Sequence, residues 1–334
     1  VSPLPAALRH RYAVSMLRFS PATAAIALLT EGLCGYPAPL YRRIRHPVVW
    51  MGTLIDALER RLNRPTASRT TRLLTGAAAT GAITLIPTAL AAGAARLVGK
   101  KPLPCGLLAS ACMAQRSLHQ HVEAVAIALE KDGLEEGRRA VSMIVGRDPA
   151  TLDESAICRA AIETLAENFS DGIVAPALWC ALGGLPGAVF YKAVNTADSM
   201  IGHRSDRFEA FGKCAARLDD AINLPASRLA ALLLILAALL SGADWKEAIR
   251  TIRRDAPHHR SPNAGWPEAA MAGALGVALA GPRVYGGTMT EVRWMGTGRA
   301  DLTPSDIRAA LHLYRSACLL QGAVLSALSV RYPS

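Results

Sequence analysis

The run LAALLLILAALL (229–240), at the heart of the apolar stretch Leu224–Gly242, decides the fold class. Leu and Ala are strong helix formers, and a helix needs ~20 apolar residues to cross a bilayer. Working outward, Leu73–Val98 is a second span, closed by Lys100 and Lys101. Pro87 in its middle is a kink that a membrane helix tolerates. Phe19–Cys34 is shorter and interrupted by Glu31, and Ala269–Ala280 and Leu311–Val330 are weaker candidates. Gly172–Val194 is apolar but punctuated by Pro176, Gly183, Gly184, Pro186 and Gly187. Irregular backbone is tolerated at membrane depth only where it faces protein or a watery cavity, so this segment reads as a re-entrant or broken helix lining a polar cavity. The expected fold is all-α, a polytopic integral membrane protein of about four to six membrane segments with amphipathic interfacial helices. It forms one domain over 1–334, with basic regions at the amino terminus and 38–72 and a site-forming core at 145–280.

Composition agrees. Hydrophobic residues make up 51% of the 334 and charged ones 19%, aromatics are 5%, and mean hydropathy is +0.23. The net charge of +11 is carried mostly by Arg. Tyr41–Arg72 alone holds arginines 42, 43, 45, 60, 61, 64, 69 and 72, which places it on the cytoplasmic side by the positive-inside bias. Within it WMGTLIDALERRLNR (50–64) has the pattern of a helix lying in the interface. No basic run interleaved with aromatics and no zinc-finger or helix-turn-helix spacing is present, which argues against nucleic acid as a partner. The 7 cysteines form no CxxC and read as reduced, buried side chains. Val1–Arg18 is basic without a following cleavage pattern, so no secretory leader is expected. Leu103–Val145 has helical periodicity, and Asp148-Pro149 followed by Thr151–Glu154 reads as a turn into a capped helix running towards Glu167.

Chemistry concentrates in Glu163–Arg228. Glu163, Glu167, Asp171, Asp198, Asp206, Glu209, Asp219 and Asp220 alternate there with Lys192, Arg204, Arg207, Lys213, Arg217 and Arg228, and with Asn168, Asn195 and Asn223. Charge beside a membrane segment is costly unless it faces protein or water. Singly, each group has a bland role as a cap or a solvated loop residue; together they indicate a site. Mg²⁺ is held by one or two carboxylates with phosphates and water. Asn195 and Asp198 are three apart and share a helix face, whereas the adjacent Asp219 and Asp220 point ~100° apart, so one of them is expected to face the site. Lys192, Arg204 and Arg217 suit phosphate or carboxylate oxygens. No Walker A sequence is present, so ATP would not be held by a P-loop. A second constellation, DAPHHRSPNAGWPEAAMAGALG (255–276), reads as a loop followed by a small-residue helix. The adjacent His258 and His259 make a poor chelate. The functional alternative is a lid contributing His258, Asn263 and Glu268, and Gly273 and Gly276 allow close helix approach.

Six ordered blocks carry a resemblance: HPVVWMGTLID (46–56), VGRDPATLD (145–153), AENFSDGIVAPALW (166–179), GGLPGAVFYKAVNTADSMIGHR (183–204), FGKCAARLDDAINLPASRL (211–229) and SPNAGWPEAAMAGALG (261–276). They resemble the adenosylcobinamide-phosphate synthase (cobinamide synthase) family of cobalamin biosynthesis. Near the start, this chain has Glu31 and Gly35-Tyr36-Pro37 where that family carries an Asp and a Gly-Asp-Pro, and the match is loose beyond Tyr285. The resemblance implies an ATP-dependent amide ligase of the bacterial inner membrane, its site facing the cytoplasm. It would join (R)-1-amino-2-propanol or its O-phosphate to the propionate carboxylate of adenosylcobyric acid, with Mg²⁺ and ATP. Under it, Asp198, Asp219 and Asp220 are metal candidates, with Asp171 a further one. Lys192, Asn195, Arg204, Lys213, Arg217, His258 and Asn263 hold substrate or phosphate, and Glu167, Asp171 and His203 are catalytic candidates. Membrane lipid, other cobalamin-assembly enzymes and a second copy are the expected partners.

Three other classes compete. An intramembrane Mg²⁺-diphosphate prenyltransferase would need further Asp residues beyond Asp198 and Asp219-Asp220, and Asn223 stands at one such place. A non-catalytic membrane sensor or regulator has no use for the ENFSDG and ARLDD blocks. A transporter should show inverted repeats, and none is evident.

Overall fold

The computed structural model describes residues 19–146, 149–285, 288–290 and 292–332, with 283–285 and 288–290 described by their backbone. Val1–Arg18 and the Asp148 part of the expected turn lie outside the described residues. The chain is helical: α1 (Pro21–Cys34), α2 (Ala38–Ile44), α3 (Pro47–Leu62), α4 (Arg69–Leu97), α5 (Pro102–Ala109), α6 (Gln115–Lys131), α7 (Leu134–Ser142), α8 (Glu154–Phe169), α9 (Ala175–Ile201), α10 (Lys213–Ser241), α11 (Trp245–Asp255), α12 (Gly265–Leu275) and α13 (Pro304–Arg331). Between α12 and α13 lie β1 (Leu279–Ala280), β2 (Arg283–Tyr285), β3 (Thr288–Thr290) and β4 (Trp294–Met295), with β1 antiparallel to β4 and β2 to β3.

Four described helical stretches are long and apolar enough to cross a membrane: Arg69–Leu97, Glu154–Ile201, Lys213–Ser241 and Pro304–Arg331. The protein is thus an all-α, polytopic membrane protein, and Pro21–Cys34 is a shorter apolar helix beside these spans. Ala269–Ala280 is not a span. Its residues belong to the 11-residue α12, which is buried against α10 and α11, and to β1. Gly273 does permit close approach, because a Cβ there would stand 2.6 Å from Ala248 Cα of α11. Gly276 instead ends α12 in the left-handed conformation, φ 64°.

The second stretch is the broken one. Asp153 caps α8, accepting from Ala156 N at 2.7 Å. At the other end of α8 the chain widens into a π turn, Ser170–Val174, before α9 begins. Inside α9 the helix breaks at Gly184, φ 62° and ψ −152°, with Pro186 just beyond. Such a backbone is strained for any residue with a side chain. Two polar segments of this stretch, Glu167–Asp171 beside the π turn and Asn195–Asp198 near its end, lie on either side of the break. Around them α9 packs on α1, α4 and α10, and α10 packs on α12 and α13. The core is rich in Ala, which lets the helices lie close together.

Candidate active site

A cavity of about 740 Å³ opens where the π turn, the end of α9, the first half of α10, the loop 255–264 and β4 converge. One wall is acidic and comes from helices: Glu167, Asp171, Asp198, Asp219 and Asp220. The facing wall comes from loops and includes His258, His259, Arg260, Arg293 and Trp294, with His203 and Arg204 at the rim after α9. The helical ladder builds the acidic wall. Ala216, Asp219, Asp220 and Asn223 line the cavity from one side of α10, while Lys213 and Arg217, four apart, stay exposed on another. Asp219 and Asp220 both line the cavity, against the expectation of one. The reason is that the 255–264 loop folds over the Asp220 side of the helix, where Asn263 Nδ2 donates to the Asp220 carbonyl at 2.8 Å.

Hydrogen bonds hold the wall rigid. Asn223 Nδ2 donates to Asp219 Oδ2 at 2.9 Å, while Asn223 Oδ1 lies 2.9 Å from the Tyr191 hydroxyl. That hydroxyl is also 3.0 Å from the Asp171 carbonyl, so one buried tyrosine ties the π turn to α10. Gly202 is needed beside Asp198, because a Cβ there would fall 1.9 Å from Asp198 Oδ1. Asp171, Asp198 and Asp219 have no ion-pair partner among the described residues, and Asp219 Oδ1 is buried without a hydrogen bond, Asn195 being within electrostatic reach. Carboxylates facing one cavity repel one another, so this wall favours a cationic occupant.

Among the described residues no three His, Cys, Asp or Glu side chains gather closely enough to enclose a metal ion. A protein cage is not what Mg²⁺ with phosphate requires; one or two carboxylates suffice, with water and phosphate oxygens completing the shell. One or two of the carboxylates Asp198, Asp219 and Asp220, all of which line the cavity, would meet that requirement.

Glu167, Asp171, Asp198, His203, Arg204, Asp219, Asp220, His258 and Asn263 all line the cavity; Lys192, Asn195, Lys213 and Arg217 do not. Lys192 lies behind the acidic wall, with Nζ 3.4 Å from Asn195 Oδ1 and its charge within reach of Asp171 and Asp219. It also reaches His46, whose imidazole is held below its usual range by burial and then by that charge. Arg217 stands at the surface, 3.9 Å from Asp220. Asn263 is committed to structure: its Oδ1 accepts from Ser227 Oγ at 3.1 Å and from Arg228 Nη1 at 2.9 Å. Glu268 is buried below the loop, 3.8 Å from His259, rather than lining the cavity.

Sequence reasoning missed Asp255, Arg260, Arg293 and Trp294. Asp255 anchors the loop wall: Arg254 grips it at 3.0 and 2.8 Å, Gly296 N donates at 2.9 Å and Arg293 stands 3.8 Å away. Burial pushes its carboxyl up, but these donors outweigh burial and hold it below the usual range. The rim loop after α9 has its own clasp. Arg207 grips Glu59 of α3 at 3.0 and 2.7 Å, Asn63 Nδ2 donates to the Arg207 carbonyl at 2.9 Å, and Arg72 donates to the Asp206 carbonyl at 3.0 Å. The Arg207 fork holds the Glu59 carboxyl below its ordinary value. Glu31, where the resembled family has Asp, accepts from Arg116 N at 2.9 Å and so caps α6 away from the cavity.

A family model described as CobD/Cbib protein matches residues 24–314. The chain is 50% identical over 300 residues to a cobalamin biosynthesis protein CobD of Rhizobium meliloti (strain 1021), covering 88% of this chain and 92% of the relative. A cobalamin biosynthesis protein CobD of Sinorhizobium sp is 47% identical over 317 residues, 92% of this chain and 97% of that protein. Another, of Rhodobacter capsulatus, is 46% identical over 298 residues, 87% of this chain and 92% of that protein. No solved structure matches. With the ordered blocks, the helical membrane fold and these matches in hand, the chain belongs to the CobD/Cbib family of cobalamin biosynthesis.

Proposed function

We propose that the chamber is the active site of an ATP-dependent amide ligase, acting on the cytoplasmic side of the inner membrane. It joins (R)-1-amino-2-propanol or its O-phosphate to the propionate carboxylate of adenosylcobyric acid, forming adenosylcobinamide or its phosphate with ADP and phosphate. One observation carries the proposal: the carboxylates of Asp171, Asp198 and Asp219, from the π turn, α9 and α10 and without an ion-pair partner among the described residues, share a single chamber with arginines and histidines. Amide ligation needs both, since it brings an ammonium and polyphosphate together. The volume, about 740 Å³, is that of a site for one nucleotide-sized ligand, roughly 300–1,000 Å³. A corrinoid is larger, so it would enter by its propionate arm while the macrocycle stays at the mouth.

A carboxylate is a poor electrophile. Its oxygen attacks the γ-phosphorus of ATP, ADP leaves, and an acyl phosphate forms. The neutral amine then attacks the acyl carbon, and phosphate departs as the amide forms. Arg204, Arg260 and Arg293 hold the phosphate and carboxylate oxygens, in the bidentate manner that guanidinium permits. One or two of Asp198, Asp219 and Asp220 would hold Mg²⁺, which would supply neutralisation of phosphate charge. Glu167, exposed to the chamber, or His203 at the rim takes the proton that the attacking ammonium must lose. Tyr191 and Asn223 keep the Asp219 carboxylate in place.

The test is an amide-forming assay on the detergent-purified protein with adenosylcobyric acid, ATP, Mg²⁺ and each amine in turn. ADP release matched one for one by the mass gain of the corrinoid is expected. ADP release without corrinoid conversion by either amine, or no ATP dependence, contradicts the proposal.

A further inference from the structure

A second cavity lies outside the active site, between α10 and α11. It has a volume of about 340 Å³ and a wall of Ala231, Leu232, Ile235, Ile249 and Ile252, closed at one end by Arg228, Arg253, Pro257 and Trp266. Polar and apolar ends are therefore separated along the helix. Arg228 precedes the apolar run of α10, on the side towards the active-site chamber, and Ile235 lies seven residues further in, ~10 Å along the axis. The slot opens on a lipid-facing surface: Leu232, which lines it, is 49% exposed, and Leu236, Leu239 and Leu240 continue the same exposed apolar stretch of a membrane span.

The two arginines have no acidic partner here. Arg228 lies over the Trp266 ring at 4.4 Å and donates to Asn263 and Ser227, both neutral. Arg253 is exposed and makes no ion pair or side-chain hydrogen bond with a described residue. Its neighbour Arg254, by contrast, is neutralised by Asp255 and Glu247. Cationic charge at the edge of hydrocarbon is costly unless an anion accompanies it. Basic pockets between membrane helices recognise lipid phosphates for this reason.

We propose that this slot binds one anionic phospholipid, its phosphate between Arg228 and Arg253 and one acyl chain along Leu232, Ile235, Ile249 and Ile252. A free phosphate would leave the apolar part unused, and a zwitterionic lipid brings its own cation to two arginines. The site shares a wall with the active-site chamber, because Arg228 and Asp220 hold the two ends of the same Asn263 amide.

The full chain in mild detergent, mixed with equal phosphatidylglycerol and phosphatidylcholine, tests this by native mass spectrometry of the retained lipid. Wild type is expected to retain phosphatidylglycerol over phosphatidylcholine by about fivefold or more, the effect of one arginine near a phosphate. Arg253→Ala should remove about fivefold of that retention, and Ile249→Trp, which fills the slot, should abolish it. Equal retention of the two lipids by wild type, a preference left undiminished by either substitution, or displacement of the lipid by millimolar inorganic phosphate alone overturns the proposal.

Discussion

The two walls of the chamber are built differently. The acidic wall stands on α8, the π turn, α9 and α10, where helical geometry places each carboxylate and Asn223, four residues on, braces Asp219. The facing wall stands on the 255–264 loop and on β4, and its position depends on contacts between residues far apart in the chain. Asp255 holds Gly296, and Trp294 pairs with Ala280. A rigid wall suits groups that meet developing charge, which lose most when misplaced. A loop wall suits groups that admit and grip a substrate, where small movements are tolerated.

This contrast orders the expected losses. Asp219→Ala or Asp198→Ala should lower kcat about 10³-fold or more, with membrane insertion unchanged. Steady-state kinetics beside membrane fractionation checks this, and near wild-type turnover in both variants would break the division of roles. Arg260→Ala or Arg293→Ala should raise KM for ATP or corrinoid about tenfold, the value of one charge-assisted contact, with a smaller change in kcat. A loss confined to kcat would move the loop arginines into the chemistry.

Glu59→Gln sharpens the account of the rim. Its folded-state carboxyl is depressed by Arg207, so its contribution to stability is present above the unfolded value, ~4.3, and is lost as pH falls through the folded value. Wild-type Tm should therefore drop on acidification below about pH 4 more steeply than that of Glu59→Gln. Equal slopes would remove the clasp from the account. Smallest of all, Lys213→Ala and Arg217→Ala should change kcat/KM less than about twofold, as surface charges do.

How much was legible follows the same line. The span at α10 and the broken stretch around Gly184 were readable because each signal is local: an unbroken Leu/Ala run in one, Gly and Pro in the other. Ala269–Ala280 misled because hydropathy does not separate a buried small-residue helix from a span; α12, at 11 residues, covers only ~16 Å. In the site, Asp171, Asp198, Asp219 and Asp220 stood out as charges flanking apolar segments. Lys213 and Arg217 stood out equally, and only the turn of α10 shows them facing away from the chamber. Arg293 and Trp294 carried no local signal, since what brings them to the chamber is a β pairing across residues 280–294.

Photolabelling with 8-azido-ATP tests most directly whether both walls close on one nucleotide. The account predicts ATP-protected labelling in peptides from both sides, 198–223 and 255–295, and its loss in Asp219→Ala. Protected labelling confined to a surface away from these segments would contradict it.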